Sequence, residues 1–117
     1  MSRIEFIARV RHIGWICYQL GCGQAYNINP TDDQLNSLLN GVEYALSHAD
    51  MTPEENHINW MKMKQSQGWI YGVVKDAEKK THPDLLPFNE LPEVEKNKDV
   101  MDYIATWEAS KLYNEQD

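Results

Sequence analysis

The sequence predicts a mainly α-helical single domain over residues 1–117, a compact bundle of about four helices with a long ordered loop between the third and the fourth. Three observations predict this fold. Apolar residues recur at the alternating spacing of a helix with one buried face. Helix-start signals precede those stripes. Between residues 68 and 92 both the helical and the strand period fail, and glycine and proline recur instead.

The first two helices carry the clearest apolar stripes. Ser2 and Glu5 form a capping box for the first helix, which ends at Gly21 and Gly23. Its expected buried stripe is Phe6, Val10, Ile13, Cys17 and Leu20. Thr31 and Gln34 form a second capping box. The second helix is expected to bury Leu35, Leu38, Val42, Ala45 and Ala49, widened by Leu39 and Leu46.

The second half of the chain carries two further helices. Thr52 and Pro53 open the third, which is expected to end near Gln67. Its thinner buried stripe is Ile58, Met61 and Gln65, with His57, Trp60 and Lys64 on the adjacent face. The last helix begins near Pro92 and carries Met101, Ile104, Ala105 and Leu112. A short strand or hairpin is predicted around residues 69–74 of the intervening loop.

Composition and charge exclude several classes of protein. Eleven basic against eighteen acidic residues give a net charge of −7, which argues against nucleic-acid binding. No continuous apolar run of membrane-spanning length occurs, and charged residues interrupt the N-terminus where a signal peptide would need an apolar stretch. Cys17 and Cys22 lack the partner pair of a zinc site. We therefore expect a cytoplasmic protein with reduced thiols, without membrane or nucleic-acid partners.

No catalytic motif is present. The chain has no phosphate-binding P-loop, no G-x-S-x-G and no H-E-x-x-H, and its four histidines lack metal-ligand spacing. We expect no enzyme activity, no cofactor, and neither catalytic nor metal-ligating residues. A weak enzyme that uses His82 with Asp76 ranks last among the alternatives, because nothing supplies a nucleophile.

One segment is typical of ligand binding. Between Lys62 and Lys80 five lysines stand against two acids, and tryptophan and tyrosine lie close by. Aromatic faces beside ammonium groups suit a planar anion, whose base stacks while its phosphates meet lysine. A structural alternative is that Trp60 and Trp69 hold the loop to the helices. The candidate ligand-binding residues, with a facing wall on the first helix, are His12, Trp15, Tyr18, Trp69, Tyr71, Lys75, Lys79, Lys80 and His82.

The same segment resembles the RyR domain, the repeat first named in ryanodine receptors. The motif core spans residues 56–99, and the matching residues are Asn56-His57, Trp60, Gly68-Trp69, Tyr71-Gly72, Asp76, Lys79, His82-Pro83, Leu85, Pro87-Phe88, Leu91-Pro92, Glu95-Lys96 and Asp99. Further matches to small stand-alone bacterial and phage members are Ala8-Arg9-Val10, His12 and Asn40-Gly41-Val42. Where those relatives have Cys-His-Glu-x-Asn, this chain has Arg11-His12-Ile13-Gly14-Trp15.

The resemblance implies a binding module without catalysis. Prokaryotic members look like sensors in nucleotide-signalling and antiviral settings, and this resemblance implies a ligand such as ADP-ribose or cyclic ADP-ribose. The protein would sense or sequester this ligand in the cytoplasm, or in the host cytoplasm if a phage encodes it. The expected partner is therefore a nucleotide-like small molecule. The alternative is a protein–protein interaction or oligomerisation module with exposed aromatic anchors, and a homo-oligomer is compatible with either function.

Overall fold

Four helices and a two-stranded sheet form the structure, a computed structural model that describes residues 1–48 and 50–113. The helices are α1 (Arg3–Gly21), α2 (Asp32–Ser47), α3 (Pro53–Ser66) and α4 (Glu93–Leu112). Strands β1 (Ile70–Tyr71) and β2 (Thr81–His82) and a 3-10 helix at Phe88–Glu90 lie between α3 and α4. The predicted mainly helical bundle with an ordered loop is confirmed. Its four helices in this part of the chain match the prediction.

Local capping sets where the first three helices begin. The Ser2 hydroxyl accepts a hydrogen bond from the Glu5 amide at 3.2 Å, so Ser2 caps α1 as predicted. The reciprocal half of the predicted capping box differs, because the Glu5 carboxylate accepts from the Ser2 hydroxyl, at 3.3 Å, and not from its backbone amide. Thr31 and Gln34 make both hydrogen bonds of a capping box, at 3.1 and 2.9 Å. Thr52 accepts from the amide three residues on, at 3.2 Å, and Pro53 follows it. These short-range bonds confirm the predicted helix starts.

The apolar core lies where α1 and α2 meet the end of α4. Ile7, Ala8, Val42 and Ala109 are fully or almost fully buried there. The partly buried residues around them are Ile4, Phe6, Val10, Leu38, Leu39 and Leu46. α1 packs most extensively on α4 and next on α2. In the described ranges 1–48 and 50–113, no helix combines the length and apolarity needed to cross a membrane.

The predicted buried stripe of α1 is wrong in its second half. Ile13 is 59% exposed and Leu20 61% exposed, and Cys17 is exposed too, whereas Arg11, His12 and Gln19 are buried. α1 turns this polar face inward because its polar groups find partners there: Arg11 pairs with Asp102, and His12 and Gln19 hydrogen-bond to backbone carbonyls that follow α1. Cys17 and Cys22 are both free thiols at the surface.

The inner face of α3 also differs from the prediction. Ile58 is 42% exposed and Gln65 is exposed, while Asn56 and His57 are buried. The face predicted to lie beside the stripe, with His57, Trp60 and Lys64, therefore points inward. The reason is that His57 has partners inside the fold, the Asp99 carboxylate and the Leu86 carbonyl, while Trp60 and Lys64 beside it line the cavity.

Smaller differences occur in α2 and α4. Leu35 is 37% exposed, and Ala49, predicted to be buried, lies outside the described residues. In α4, Ile104 is 54% and Leu112 76% exposed, whereas Thr106 and Ala109 are buried. Apolar spacing located these helices correctly but did not decide which of their residues meet a neighbour.

The loop between α3 and α4 contains the predicted short strand, which pairs with a second strand in parallel and so does not form a hairpin. β1 pairs in parallel with β2, with Ile70 opposite Thr81 and Tyr71 opposite His82. Asp76 shapes the connection: its side chain accepts hydrogen bonds from two backbone amides, and its backbone bridges Thr81. Lys80 adopts a left-handed φ of 54°, which turns the chain into β2. The loop is thus held by its own hydrogen bonds.

Candidate functional site

A cavity of about 480 Å³ lies between the four helices and the loop that follows α3. Every helix and the loop contribute side chains to its wall. Pockets for small molecules usually enclose about 300–1,000 Å³ and combine apolar walls with a few polar groups. The cavity is therefore large enough for a small organic ligand.

Aromatic rings form one side of the cavity. The Trp60 ring meets His82 edge-on, with ring centroids 5.0 Å apart, and lies 5.5 Å from His57. Trp69 lies 6.3 Å from the same His82. Trp15 on α1 stacks on His12 at 5.3 Å. The cavity thus has ring surfaces on α1, on α3 and on the loop, and such surfaces suit a planar ligand.

Three ion pairs at the cavity involve α4. Two of them join α4 to another helix, and one lies within α4. Arg11 Nη2 lies 3.1 Å from Asp102 Oδ2, and Lys98 Nζ lies 3.0 Å from Glu95 Oε2. The third pair joins α3 to α4, with His57 Nδ1 3.1 Å from an Asp99 oxygen. These contacts neutralise most of the carboxylates at the site.

Both ring nitrogens of His57 face acceptors. Besides the Asp99 contact, its Nε2 donates to the Leu86 carbonyl at 2.7 Å. Burial lowers the pKa of His57. The hydrogen bond and the charge of Asp99, together with the Leu86 carbonyl, raise it by more than burial lowers it, so the pKa lies above its ordinary 6.5. This residue therefore joins α3, α4 and the loop through contacts that favour its protonated form, although burial also raises the pKa of Asp99.

Two lysines at the cavity are not paired with any carboxylate of the described residues. Neither Lys64 nor Lys75 forms a salt bridge within the described part of the chain. The Lys64 ammonium lies 5.1 Å from the centre of the Trp69 ring, a cation–π contact. Burial and the charge of Lys75 lower the pKa of Lys64 against the attraction of Asp33. The pKa of Lys75 is lowered by the burial of part of its side chain, which as a whole is exposed, and by the charge of Lys98; the charges of Asp84 and Glu95 oppose this shift.

His82 reports the same positive field. Burial, followed by the charges of Lys75 and Lys64, lowers the pKa of His82 to about 4. Its Nδ1 accepts a hydrogen bond from the Asp84 amide at 3.0 Å, which fits a neutral ring. The Asp84 carboxyl itself has its pKa raised to about 7 by burial and by its hydrogen bond with Glu95. A neutral imidazole and a carboxyl with a raised pKa thus line the same cavity as the ammonium groups of Lys64 and Lys75.

The structure brings five of the nine predicted ligand-binding residues together at this cavity. They are His12, Trp15, Trp69, Lys75 and His82. The other four lie outside it. The Tyr18 hydroxyl donates to the Val94 carbonyl at 2.9 Å, and Tyr71 lines a second, more open cavity. Lys79 is exposed, and the Lys80 ammonium donates to the Gln67 carbonyl at 2.8 Å.

Sequence reasoning missed several residues of the wall, among them Arg11, Gln19 and Lys64. A signal for each was present in the spacing. Arg11 and Gln19 lie four residues before and after Trp15, and Lys64 lies four residues after Trp60, so each shares a helix face with a tryptophan. Apolar periodicity hid these faces, because it places polar residues outside by default.

The protein is thus a small helical bundle with a polar cavity that tryptophan residues line. A family model described as the RyR domain matches residues 26–110, which include α2, α3, the loop and most of α4. The chain belongs to the RyR-domain family. α1, which supplies Arg11, Trp15 and Gln19 to the cavity, precedes the matched range.

Proposed function

We propose that this protein is a non-catalytic binding module for a nucleotide-derived anion such as ADP-ribose or cyclic ADP-ribose, held in the cavity between α1, α3 and the loop. One observation carries the proposal: Lys64 and Lys75 line an aromatic cavity without carboxylate partners in the described residues. The two ammonium groups repel each other, as the effect of Lys75 on the pKa of Lys64 indicates, and a bound phosphate would compensate both charges.

The neighbouring rings support a ligand that also carries a base. Trp60, Trp69 and His82 line the same cavity as the two lysines, and aromatic side chains bind bases by stacking. The low pKa of His82 keeps this ring uncharged and available for stacking at neutral pH. The cavity volume of about 480 Å³ fits part or all of a nucleotide.

Binding without turnover remains part of the proposal, as does action in the cytoplasm, where nucleotides are available and the exposed thiols stay reduced. The antiviral setting, whether by sensing or by sequestering, stays a prediction from the family resemblance. Mass spectrometry of the recovered ligand tests the absence of turnover: the nucleotide should return unchanged after long incubation with the protein.

Calorimetric titration with AMP, NAD, ADP-ribose and cyclic ADP-ribose tests the binding itself. We expect at least one of them to bind, and to raise the stability of the fold by about 2.7 kcal/mol at about a hundred times its Kd. Lys75→Ala should weaken that binding by about tenfold or more, because it removes a charge-assisted contact to phosphate. Lys64→Ala should have a similar effect.

Lys79→Ala is the matched control, since Lys79 belongs to the same loop but lies outside the cavity. Its melting temperature and its affinity should both equal those of the wild type. Equal weakening by Lys75→Ala and Lys79→Ala would indicate attraction by net charge alone and would reject the cavity as the site. Absence of binding by every nucleotide would reject the proposed function.

Self-association is the second candidate function, and one observation favours it. Ile70, Val73 and Val74 are 62%, 80% and 71% exposed within one short segment of the loop. A second copy of the chain that covers this segment would bury apolar surface without a small ligand. Sedimentation analysis of the wild type and of Val73→Ser tests this alternative: a dimer that the substitution dissociates supports it, and a monomer at all concentrations rejects it.

A further inference from the structure

The second half of α1 presents a polar face to the cavity and an apolar face to solvent. Arg11, Trp15 and Gln19 follow one another at helical spacing along the cavity wall, whereas Ile13 and Leu20 are 59% and 61% exposed. A helix that only supports the fold buries its apolar side. Departures from that pattern are expected where a protein binds something.

Two side chains on this face are buried with unused hydrogen-bonding atoms. Arg11 is 5% exposed, and its Nε and Nη1 have no partner in the described structure, since Asp102 engages only Nη2. Gln19 is 8% exposed, and its Oε1 likewise lacks a partner. Buried polar atoms of this kind are rare in folded proteins, because each costs free energy until a partner meets it.

The remaining contacts hold these two groups in place. The Gln19 amide nitrogen donates to the Ala25 carbonyl at 2.7 Å, which fixes the side of the amide on which the oxygen lies. The Arg11 guanidinium lies against Gly41, where a Cβ would come within 2.8 Å of Nη1. Unused donors and an unused acceptor thus flank the Trp15 ring on one helix face.

We propose that Arg11, Trp15 and Gln19 form the base-reading end of the cavity, with Trp15 stacking on the base, Arg11 donating to a base acceptor and Gln19 accepting from a base N–H. This inference rests on the proposed function and extends it. Lys64 and Lys75 hold the phosphate end of the ligand. The ligand is therefore a nucleotide whose base offers both a donor and an acceptor, as adenine does, and a sugar phosphate without a base binds weakly.

The test compares AMP with ribose 5-phosphate, which has the same phosphate and sugar but no base. Titrations followed by NMR use the wild type, Gln19→Met, Trp15→Leu and Trp15→Phe. Wild-type protein should bind AMP roughly tenfold or more tightly than ribose 5-phosphate, as stacking on one ring provides. Gln19→Met should weaken AMP binding roughly fivefold and leave ribose 5-phosphate unchanged. Trp15→Leu should abolish most of the preference, and Trp15→Phe should retain part of it.

Cys17→Ser is the control on the same helix, because Cys17 is exposed on the opposite face. Melting temperatures show whether a variant has lost affinity through unfolding. The comparison of AMP with ribose 5-phosphate on the wild-type protein tests the contribution of the base without any variant.

Equal affinity for AMP and ribose 5-phosphate would overturn the base-reading assignment while leaving an anion site at Lys64 and Lys75. An equal loss for both ligands in Gln19→Met, or no loss, would overturn the role of Gln19. Absence of wild-type binding by either ligand would overturn the assignment too. Binding of ADP-ribose, cyclic ADP-ribose or NAD in that case would show that the proposed function survives it.

Discussion

Replacing Asp99 by Asn removes one charge from the buried contact with His57 while keeping the size and shape of the side chain. His57 is 2% exposed, and its two nitrogens lie 3.1 Å from Asp99 and 2.7 Å from the Leu86 carbonyl. In the variant a neutral amide faces the imidazole ring, and the charge that favours the protonated ring is gone. We expect the variant to fold with reduced stability and with a changed dependence on pH.

The size of the loss follows from what the ring can do. An uncompensated buried charge costs about 3–5 kcal/mol. His57 escapes most of that cost by releasing its proton, since the ordinary histidine pKa of 6.5 is close to neutrality. What remains is the loss of a hydrogen bond between charged groups, about 1.5–3 kcal/mol. We therefore expect Asp99→Asn to lower the free energy of unfolding by that amount near about pH 6, and by less at higher pH.

The sign of the pH dependence follows from the direction of the shift. The pKa of His57 is higher in the folded chain than the ordinary 6.5, so the folded state binds the proton more tightly. Its contribution to stability is complete below pH 6.5 and is lost as pH rises through the folded-state value. His82 acts on the acid side, where stability is lost as pH falls from 6.5 towards about 4.

Asp84 also affects the pH dependence of stability, at pH values between the acid range of His82 and the range of His57. Its pKa is raised from 3.8 to about 7, so its stabilising effect is lost as pH rises across that interval. The effects of His82 and Asp84 oppose each other where their intervals overlap. Above about pH 7 His82 no longer titrates, but Asp84 still releases protons there and lowers stability in the same direction as His57. The difference between the wild type and Asp99→Asn, and not the wild-type slope itself, therefore reports on His57.

Urea denaturation of the wild type and of Asp99→Asn at a series of pH values measures both quantities. The wild type should lose stability on going from neutral to mildly alkaline pH, and the variant should lose less. Glu108→Gln is the control, because the Glu108–Lys111 pair has side chains 62% and 69% exposed and contributes less than about 1 kcal/mol. Parallel curves for wild type and Asp99→Asn would refute the reasoning, since they would show that Asp99 does not hold the proton on His57.

Two further predictions concern the loop and its anchors. Gly72→Ala should destabilise the fold by about 1–3 kcal/mol in the same denaturation assay, because a Cβ there would come within 2.5 Å of the Thr81 Cβ. Gly21→Ala, where a Cβ meets nothing within 4 Å, is its control, and equal stability of the two variants would contradict the expected clash. Trp60→Ala and Trp69→Ala should each cost about 3–5 kcal/mol, measured as a drop in melting temperature. An unchanged melting temperature in either would show that its ring does not hold the loop to α3.

Much of the fold was predictable because its signals are local. A cap such as Thr31 acts on an amide three residues away, so its effect is present in the sequence without knowledge of any neighbour. The order of the loop was predictable from its prolines, and a strand within it from residues 69–74. Its parallel partner was not, because the pairing of β1 with β2 depends on the turn that Asp76 and Lys80 make.

About half of the candidate site followed from residue chemistry. Trp69, Lys75 and His82 were expected at one site because aromatic and cationic residues suit nucleotides, and all three line the cavity. Lys79 and Lys80 have the same chemistry but face elsewhere, since the tight turn before β2 directs consecutive side chains in different directions. Composition gives no information about those directions.

By itself, the sequence determined the number of helices, their starting residues and the membership of the RyR-domain family. Caps and apolar stripes depend on residues close together in the chain, and the family is recognised from the order of its motif residues. Only the tertiary structure decided which face of α1 and of α3 turns inward. Arg11 and His57 are buried because carboxylates on α4, distant in sequence, lie within 3.1 Å of them. A polar helix face can be buried only where charged or hydrogen-bonding partners contact it, and those contacts depend on the packing of the whole bundle.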